Sequence, residues 1–344
     1  VVSLSTVGGP LSTTNERVAE RGIALILTLW IIIVLGVTAT YFSREVRQEA
    51  FIVRNFKQSE EAKLLALAGV HHALALLSHP TEEGMNIDGR YLEQYFSDID
   101  SVAFGEGSYE VEVSDEESKI NINLASRDLI RGLLIGQGLA SGRADSISDA
   151  IIDWRDHDDT PMLNGAEDDY YNSLDPPYSC KDSNFDSIEE LLLVRGIDRE
   201  LLFGSGSKGA SPGLYEHLTV YGRGKININT ADSLVLRALP GVDEQSSAFI
   251  TRKREAVNYS PLNKQEFIDY IREANQMGEG NLDYRTLQRL VDTKSYHFSI
   301  LSRGRVDGTN VERSLRVVVY RTILGSKVNL RILSWRELEQ GDNA

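Results

Sequence analysis

From Gly22 to Ser43 the chain reads Gly-Ile-Ala-Leu-Ile-Leu-Thr-Leu-Trp-Ile-Ile-Ile-Val-Leu-Gly-Val-Thr-Ala-Thr-Tyr-Phe-Ser, without one charge. As a helix at ~1.5 Å per residue this stretch spans about 33 Å, enough for a hydrocarbon core of ~30 Å. No other stretch is as long and apolar. A cleavable secretory signal would have a shorter apolar run, closed by an Ala-x-Ala-like site that is absent here. The flanks leave orientation undecided: Arg17 and Arg21 precede the span beside Glu16 and Glu20, while Arg44 and Arg47 follow it.

Downstream, the helical reading continues. Between Ser43 and Ser78 there is no proline, and Gly69 is the one glycine. Val46, Ala50, Val53 and Phe56, then Leu64, Leu65, Leu67, Ala68, Ala73, Leu76 and Leu77, recur at helical spacing. Pro80 is the expected stop. The spacing predicts one helix over 23–78, its first third meeting lipid and its last third packing on a head domain.

Two textures follow. Alternation predicts strands at Ser108–Val113, Ser295–Ser302, Val311–Thr322 and Val328–Ser334, with Asp307-Gly308 turning a hairpin. Between them lie short helices. The fold class is therefore α+β: a long N-terminal helix packed on an antiparallel sheet, with a large all-α insertion grown from a loop. The expected divisions are 1–22 as a leader, 23–43 as the transmembrane segment, and 44–123 as the packing helix and first strands. They continue with 124–291 as the insertion and 292–344 as the last strands.

The insertion contains a repeat. Lys119-Ile-Asn-Ile-Asn-Leu-Ala-Ser recurs as Lys225-Ile-Asn-Ile-Asn-Thr-Ala-Asp, each copy ending in a helix N-cap, Ser126 or Asp232. Ile188 to Ile197 and Leu234 to Arg252 resemble helix–hairpin–helix units of DNA-binding competence proteins. A membrane-tethered DNA receptor is thus the alternative function. Those hairpins need a second glycine to expose N–H groups to phosphate; here Asp198 and Asp243 stand there, and a carboxylate inverts the electrostatics. Arg252, Lys253 and Arg254 supply the local positive charge.

Composition bounds the rest. Apolar residues make up 41% and charged residues 25%, suited to a buried core. The net charge of −15 disfavours non-specific nucleic-acid binding. A single cysteine, Cys180, excludes an internal disulfide framework and a Cys-rich zinc site. Twelve carboxylates against Arg155 and Lys181 crowd Asp153 to Glu190. Their repulsion needs a cation or full solvation, and hard oxygens favour calcium over zinc. From Asp156 the spacing of Asp158, Thr160, Met162, Asn164 and Glu167 mimics a calcium loop, although Pro161 replaces the glycine of an EF-hand. The candidate ligands are Asp156, Asp158, Glu167 and Asp168, followed by Asp159 and Asp169; a solvated acidic loop is the other reading. Gly204-Ser-Gly-Ser-Lys-Gly fits a phosphate-loop pattern without the following helix, and reads as a loop. No nucleophile, base and orienter set stands out, so an enzyme is not expected.

Several of these stretches together carry a family resemblance. Glu20-Arg21-Gly22, with the apolar helix directly behind it, resembles the type III signal of type IV pilin-like proteins. From Arg21 onward the chain resembles the K-type minor pseudopilin of the type II secretion system, the general secretion pathway protein K family. The marks are Asn121-Ile-Asn-Leu-Ala, Ile152-Asp-Trp-Arg-Asp-His-Asp-Asp, Gly165-Ala-Glu-Asp-Asp-Tyr-Tyr, Phe185-Asp-Ser-Ile-Glu-Glu-Leu and Lys225-Ile-Asn-Ile-Asn-Thr-Ala. The resemblance implies prepilin peptidase cleavage after Gly22, leaving Ile23 as N-terminus. It implies a single-pass inner-membrane protein with a periplasmic, pilin-like head carrying a SAM-like insertion, and calcium in the acidic region. It also implies capping of the pseudopilus with minor pseudopilins I and J, contact with the major pseudopilin through that tip complex, and export of folded proteins across the outer membrane. No nucleic-acid partner is implied. Leu27, fifth from Ile23, stands where most pilin-like subunits carry a glutamate, which implies a place with no subunit ahead of it.

Overall fold

The computed structural model describes residues 13–79, 92, 96, 99, 101–205, 212–255, 261–275, 284–325 and 327–338. Residues 1–12 of the expected leader, Pro80, and 206–209 of the glycine-rich loop lie outside them. The chain divides into two compact units, Val1–Glu60 and Glu61–Ala344.

Helix α1 runs Thr13–Leu77. Among the described residues it is the one helix long and apolar enough to cross a membrane. In the first unit its apolar residues, Leu25 through Val37, are all exposed, as a lipid-facing segment requires. In the second unit α1 buries Ala62, Leu65, Ala66, Val70, Ala73 and Leu77 against a sheet. That sheet is antiparallel, in the order β1 (Val102–Phe104), β2 (Gly107–Asp115), β7 (His297–Val306), β8 (Glu312–Leu324), β9 (Lys327–Leu338). Its inner face presents Tyr109, Val111, Phe298, Ile300, Leu315, Val317 and Val319. Alternation with period two places these residues on the face under α1, as the sequence predicts. The strands run longer than the apolar alternation because polar residues at their ends still pair.

Helix and sheet meet through small residues. A Cβ on Gly304 would lie 2.1 Å from the Ala62 carbonyl oxygen and 2.4 Å from the Ala66 nitrogen, so only glycine lets the two backbones approach this closely. The C-terminus of α1 is closed by a buried cation. Arg321 Nε donates to the Leu77 carbonyl (2.9 Å) and its Nη2 to that of His79 (3.1 Å), so positive charge sits where the helix dipole is negative.

The helical region leaves and rejoins the sheet on neighbouring strands: Asp115 of β2 lies opposite Phe298 of β7. At this joint Asp115, Glu116 and Glu117 are all buried. Asp115 accepts from Thr230, Ser295 and Asn227; Glu117 accepts from the Tyr296 and His297 backbone N–H groups and lies 2.7 Å from His297 Nδ1. Burial and the neighbouring Glu117 charge push the Asp115 carboxyl up to about 7.

Within the insertion the repeat is structural as well as sequential. β3 (Ile120–Asn121) pairs in parallel with β4 (Leu218–Thr219), and β5 (Ile226–Asn227) with β6 (Val291–Asp292). These two ladders qualify the all-α reading: each is two residues long, too short for a periodicity to reveal. In both copies the first asparagine turns the chain by accepting from the second: Asn121 from Asn123 N–H, Asn227 from Asn229 N–H. The second asparagine then clasps a distant backbone with both side-chain atoms, Asn123 on Phe185 and Asn229 on Leu262. Ser126 and Asp232 cap the helices that follow, α2 (Arg127–Gly136) and α6 (Ser233–Ala238). Each of these helices leads through a short turn to a second helix, α3 (Ser141–Arg155) or α7 (Glu244–Glu255). At their ends Arg155 donates to the Ile122 and Ala125 carbonyls, and Arg254 to those of Ile228 and Ala231.

Candidate metal centre

Helix α3 places Asp145, Asp149 and Asp153 four residues apart on one face. Asp149 and Asp153 are buried. Arg127 of α2 pairs with Asp149 and Asp145, and Arg131 with Asp145 at 2.7 Å. These pairs hold the Asp145 carboxyl below the usual range. Asp149 and Asp153 then pin the following loop from beneath. Asp149 accepts the backbone and side-chain N–H groups of Asn164, and Asp153 accepts the Met162 N–H. Gly165 lies on Asp153 so closely that a Cβ would fall 1.7 Å from Oδ2. Arg195 closes the loop from the other side, donating to the Gly165 and Asn164 carbonyls.

That clamp delivers Glu167 into the interior, just ahead of a one-turn helix α4 (Asp168–Tyr171). Tyr171 is fully buried, edge-on to Trp154 and tilted against Tyr178, which fixes the turn. Asp182, with a left-handed φ of 51°, returns to α3 by donating its N–H to the Trp154 carbonyl.

Three carboxylates leave oxygens unpartnered in this region. Asp156 Oδ1, both oxygens of Glu167 and Asp182 Oδ1 are buried and make no hydrogen bond. One ligand atom from each of Glu167, Cys180 and Asp182 lies within 4.8 Å of the others. Burial first, and then the charges of Asp153, Asp156 and Asp182, push Glu167 up to about 7. Burial raises Asp153 to about 6, and raises Asp156 with help from Asp158 and Asp182. Buried acceptors without donors are costly unless a cation fills the gap. The carboxylate oxygens of this set suit a hard divalent ion.

Of the sequence candidates, Glu167 belongs to this cluster, and Asp156 leaves an unpartnered oxygen whose charge acts on Glu167. Asp168 instead accepts the Cys180 N–H (2.7 Å), while Asp158 is exposed and accepts the Thr160 N–H. Asp159 and Asp169 are exposed. The calcium-loop spacing fails because Asp153 and Asp149, outside that pattern, take the Met162 and Asn164 backbones. Asp182 and Cys180 join from a strand-less return, and no local spacing announces them. Gly22 and Ile23 lie within α1, and Leu27 is exposed on it.

The helix–hairpin–helix turns are also explicit. Asp198 Oδ1 accepts the Leu201 N–H at the start of α5 (Arg199–Phe203), and Asp243 Oδ1 accepts the Ser246 N–H at the start of α7. Carboxylates thus occupy the donors that a phosphate would need.

A family model described as type II secretion system (T2SS), protein K, matches residues 111–203. The type II secretion system protein K of Pectobacterium carotovorum subsp. carotovorum is 29% identical over 203 residues, covering 54% of this chain and 61% of the relative. That of Klebsiella pneumoniae is 26% identical over 204 residues, covering 54% and 60%. The match therefore spans about 60% of the length of these curated relatives. Among solved structures, a chain of the GspK-GspI-GspJ complex from the enterotoxigenic Escherichia coli Type 2 Secretion System aligns with a TM-score of 0.59 at 19% identity. The alignment covers 86% of this chain and all of that one. At that identity the likeness speaks for the fold.

Proposed function

We propose that this chain, which belongs to the type II secretion system protein K family, is a minor pseudopilin that caps a periplasmic pseudopilus and starts its assembly. The observation that carries the reading is the joint one: an exposed apolar helix continuing into a helix packed on an antiparallel sheet, with a large insertion on that sheet. The family is a structural component of secretion, and the role proposed here is structural. The solved relative forms a complex with GspI and GspJ; the partners proposed here are the corresponding minor pseudopilins, with the major pseudopilin below them. The proposed setting is an inner-membrane anchor with a periplasmic head, released from its leader by prepilin peptidase after Gly22. Leu27 supports placement at the tip. A carboxylate at that depth costs ~2.5 kcal/mol or more unless paired, and leucine demands no such pairing. Calcium in the acidic centre completes the proposal.

The capped N-termini at Asp198 and Asp243 weigh against the DNA-receptor alternative. The test is co-purification of the full chain with minor pseudopilins I and J from detergent, and immunogold location on assembled filaments. A stable complex and label confined to filament ends are expected. Label along the shaft, or salt-sensitive DNA binding without the complex, would overturn the reading.

A further inference from the structure

The acidic centre holds one atom that the oxygen account leaves unused. Cys180 is the only cysteine of the chain, is buried, and places Sγ among the Glu167 and Asp182 oxygens within 4.8 Å. Its hydrogen bond is weak, from Sγ to the Ala166 carbonyl at 3.7 Å. The backbone N–H of the same residue is held by Asp168 at 2.7 Å. Glu167 is 5% exposed and has both oxygens unpartnered, as are Asp156 Oδ1 and Asp182 Oδ1.

Coordination number separates two kinds of ion at such a site. Calcium takes roughly six to eight oxygens and would have to complete its shell with water or backbone carbonyls. A tetrahedral ion needs about four ligands, and a thiolate among carboxylates favours zinc-like ions over calcium. We propose that Cys180 is a ligand of this centre, making it a mixed sulfur–oxygen site that binds a thiophilic divalent ion, zinc above all, in competition with calcium. Glu167, Asp182 and Asp156 supply the oxygens. As the metal–sulfur bond forms, the thiol proton is released to solvent, with no change of oxidation state. The inference rests on the reading of this pocket as a cation centre, and departs from the sequence argument that acid alone selects calcium.

The test uses the full chain in detergent micelles, stripped with chelator and desalted. Cadmium serves as the spectroscopic probe, because a cadmium–thiolate bond gives an ultraviolet charge-transfer band, and a single cysteine makes that band specific. The expected result is a band saturating at one equivalent of cadmium, bleached by added zinc. Cys180→Ser should have no band, and Glu167→Gln should need at least ~10-fold more cadmium, since even outer-shell partners are worth about that factor. Cys180→Ala, checked by far-ultraviolet circular dichroism, covers the case in which the serine variant misfolds. No band in the unmodified chain, or an unchanged affinity in Glu167→Gln, overturns the proposal. Calcium-dependent melting is read in parallel. If calcium still raises the melting temperature while no band forms, the oxygen centre stands and the sulfur ligand falls; if neither ion binds, both fall.

Discussion

The two halves of the insertion are built on one plan and differ in one loop. In the first, Asn121 and Asn123 shape the turn, Arg155 ties it back, and Phe185 is clasped. In the second, Asn227, Asn229, Arg254 and Leu262 do the same. Between tie and clasp the first half carries residues 156–184, and the second only 255–261. The longer loop holds Asp156, Glu167, Cys180 and Asp182. The comparison separates the framework from what it carries: the asparagine and arginine contacts recur because they satisfy backbone groups, while the acidic loop occurs in the first half alone.

Breaking the framework should have the largest effect. Arg155→Met or Arg254→Met removes two charge-assisted hydrogen bonds and leaves buried carbonyls unmet. Each should cost about 3 kcal/mol or more, measured by urea unfolding of the chain in detergent. Losses of similar size in the two halves would sharpen the repeat; a loss in only one would break it.

Removing cations comes next, and should strike one half alone. At an ion concentration ~100-fold above its dissociation constant, binding stabilises by about 2.7 kcal/mol. In chelator, hydrogen exchange should rise across 156–184 and stay unchanged across 225–255. Uniform loss of protection, or none, would contradict a centre confined to the first loop.

The smallest effect is on pH. In the ion-free protein Glu167, Asp153 and Asp156 have raised carboxyl pKa values. The folded chain therefore holds more protons than the unfolded chain between about pH 4 and 7, and stability falls as pH rises through that window. With a divalent ion bound, protons and metal compete, and stability should rise with pH instead. Asp115, also raised to about 7, adds the same falling slope in both states. Melting curves at several pH values, with and without ion, test the reversal; a slope that keeps its sign would place those carboxylates outside the ion's reach.

How legible each part was follows from how far apart its pieces lie in sequence. The strands were readable because alternation is local, and the long helix because nothing interrupts it from Ser43 to Ser78. Asn121 and Asn227 were readable because their neighbours repeat with them. Their partners were not: Arg155 to Arg254 is 99 positions and Phe185 to Leu262 is 77, whereas the asparagines are 106 apart, so the shared offset is lost. In the acidic loop, Asp156 and Glu167 stand out in the sequence by acid density, and Glu167 is in the cluster. Asp182 and Cys180 were not legible, because tertiary folding brings them in through a turn at positive φ and an aromatic brace on Tyr171.

The place where the insertion joins the sheet has a consequence for how such a molecule is assembled and altered. Asp115 and Phe298 are rungs of the same ladder, so residues 116–297 leave and return within one strand spacing. To the sheet, those residues are a hairpin connection of unusual length. The entropy of closing such a connection grows only with the logarithm of its length, about 0.6 kcal/mol per doubling. The sheet is thus a chassis with a socket: a two-residue turn, or a different cassette, fitted between β2 and β7 is expected to leave the register of the strands packed on α1 unchanged.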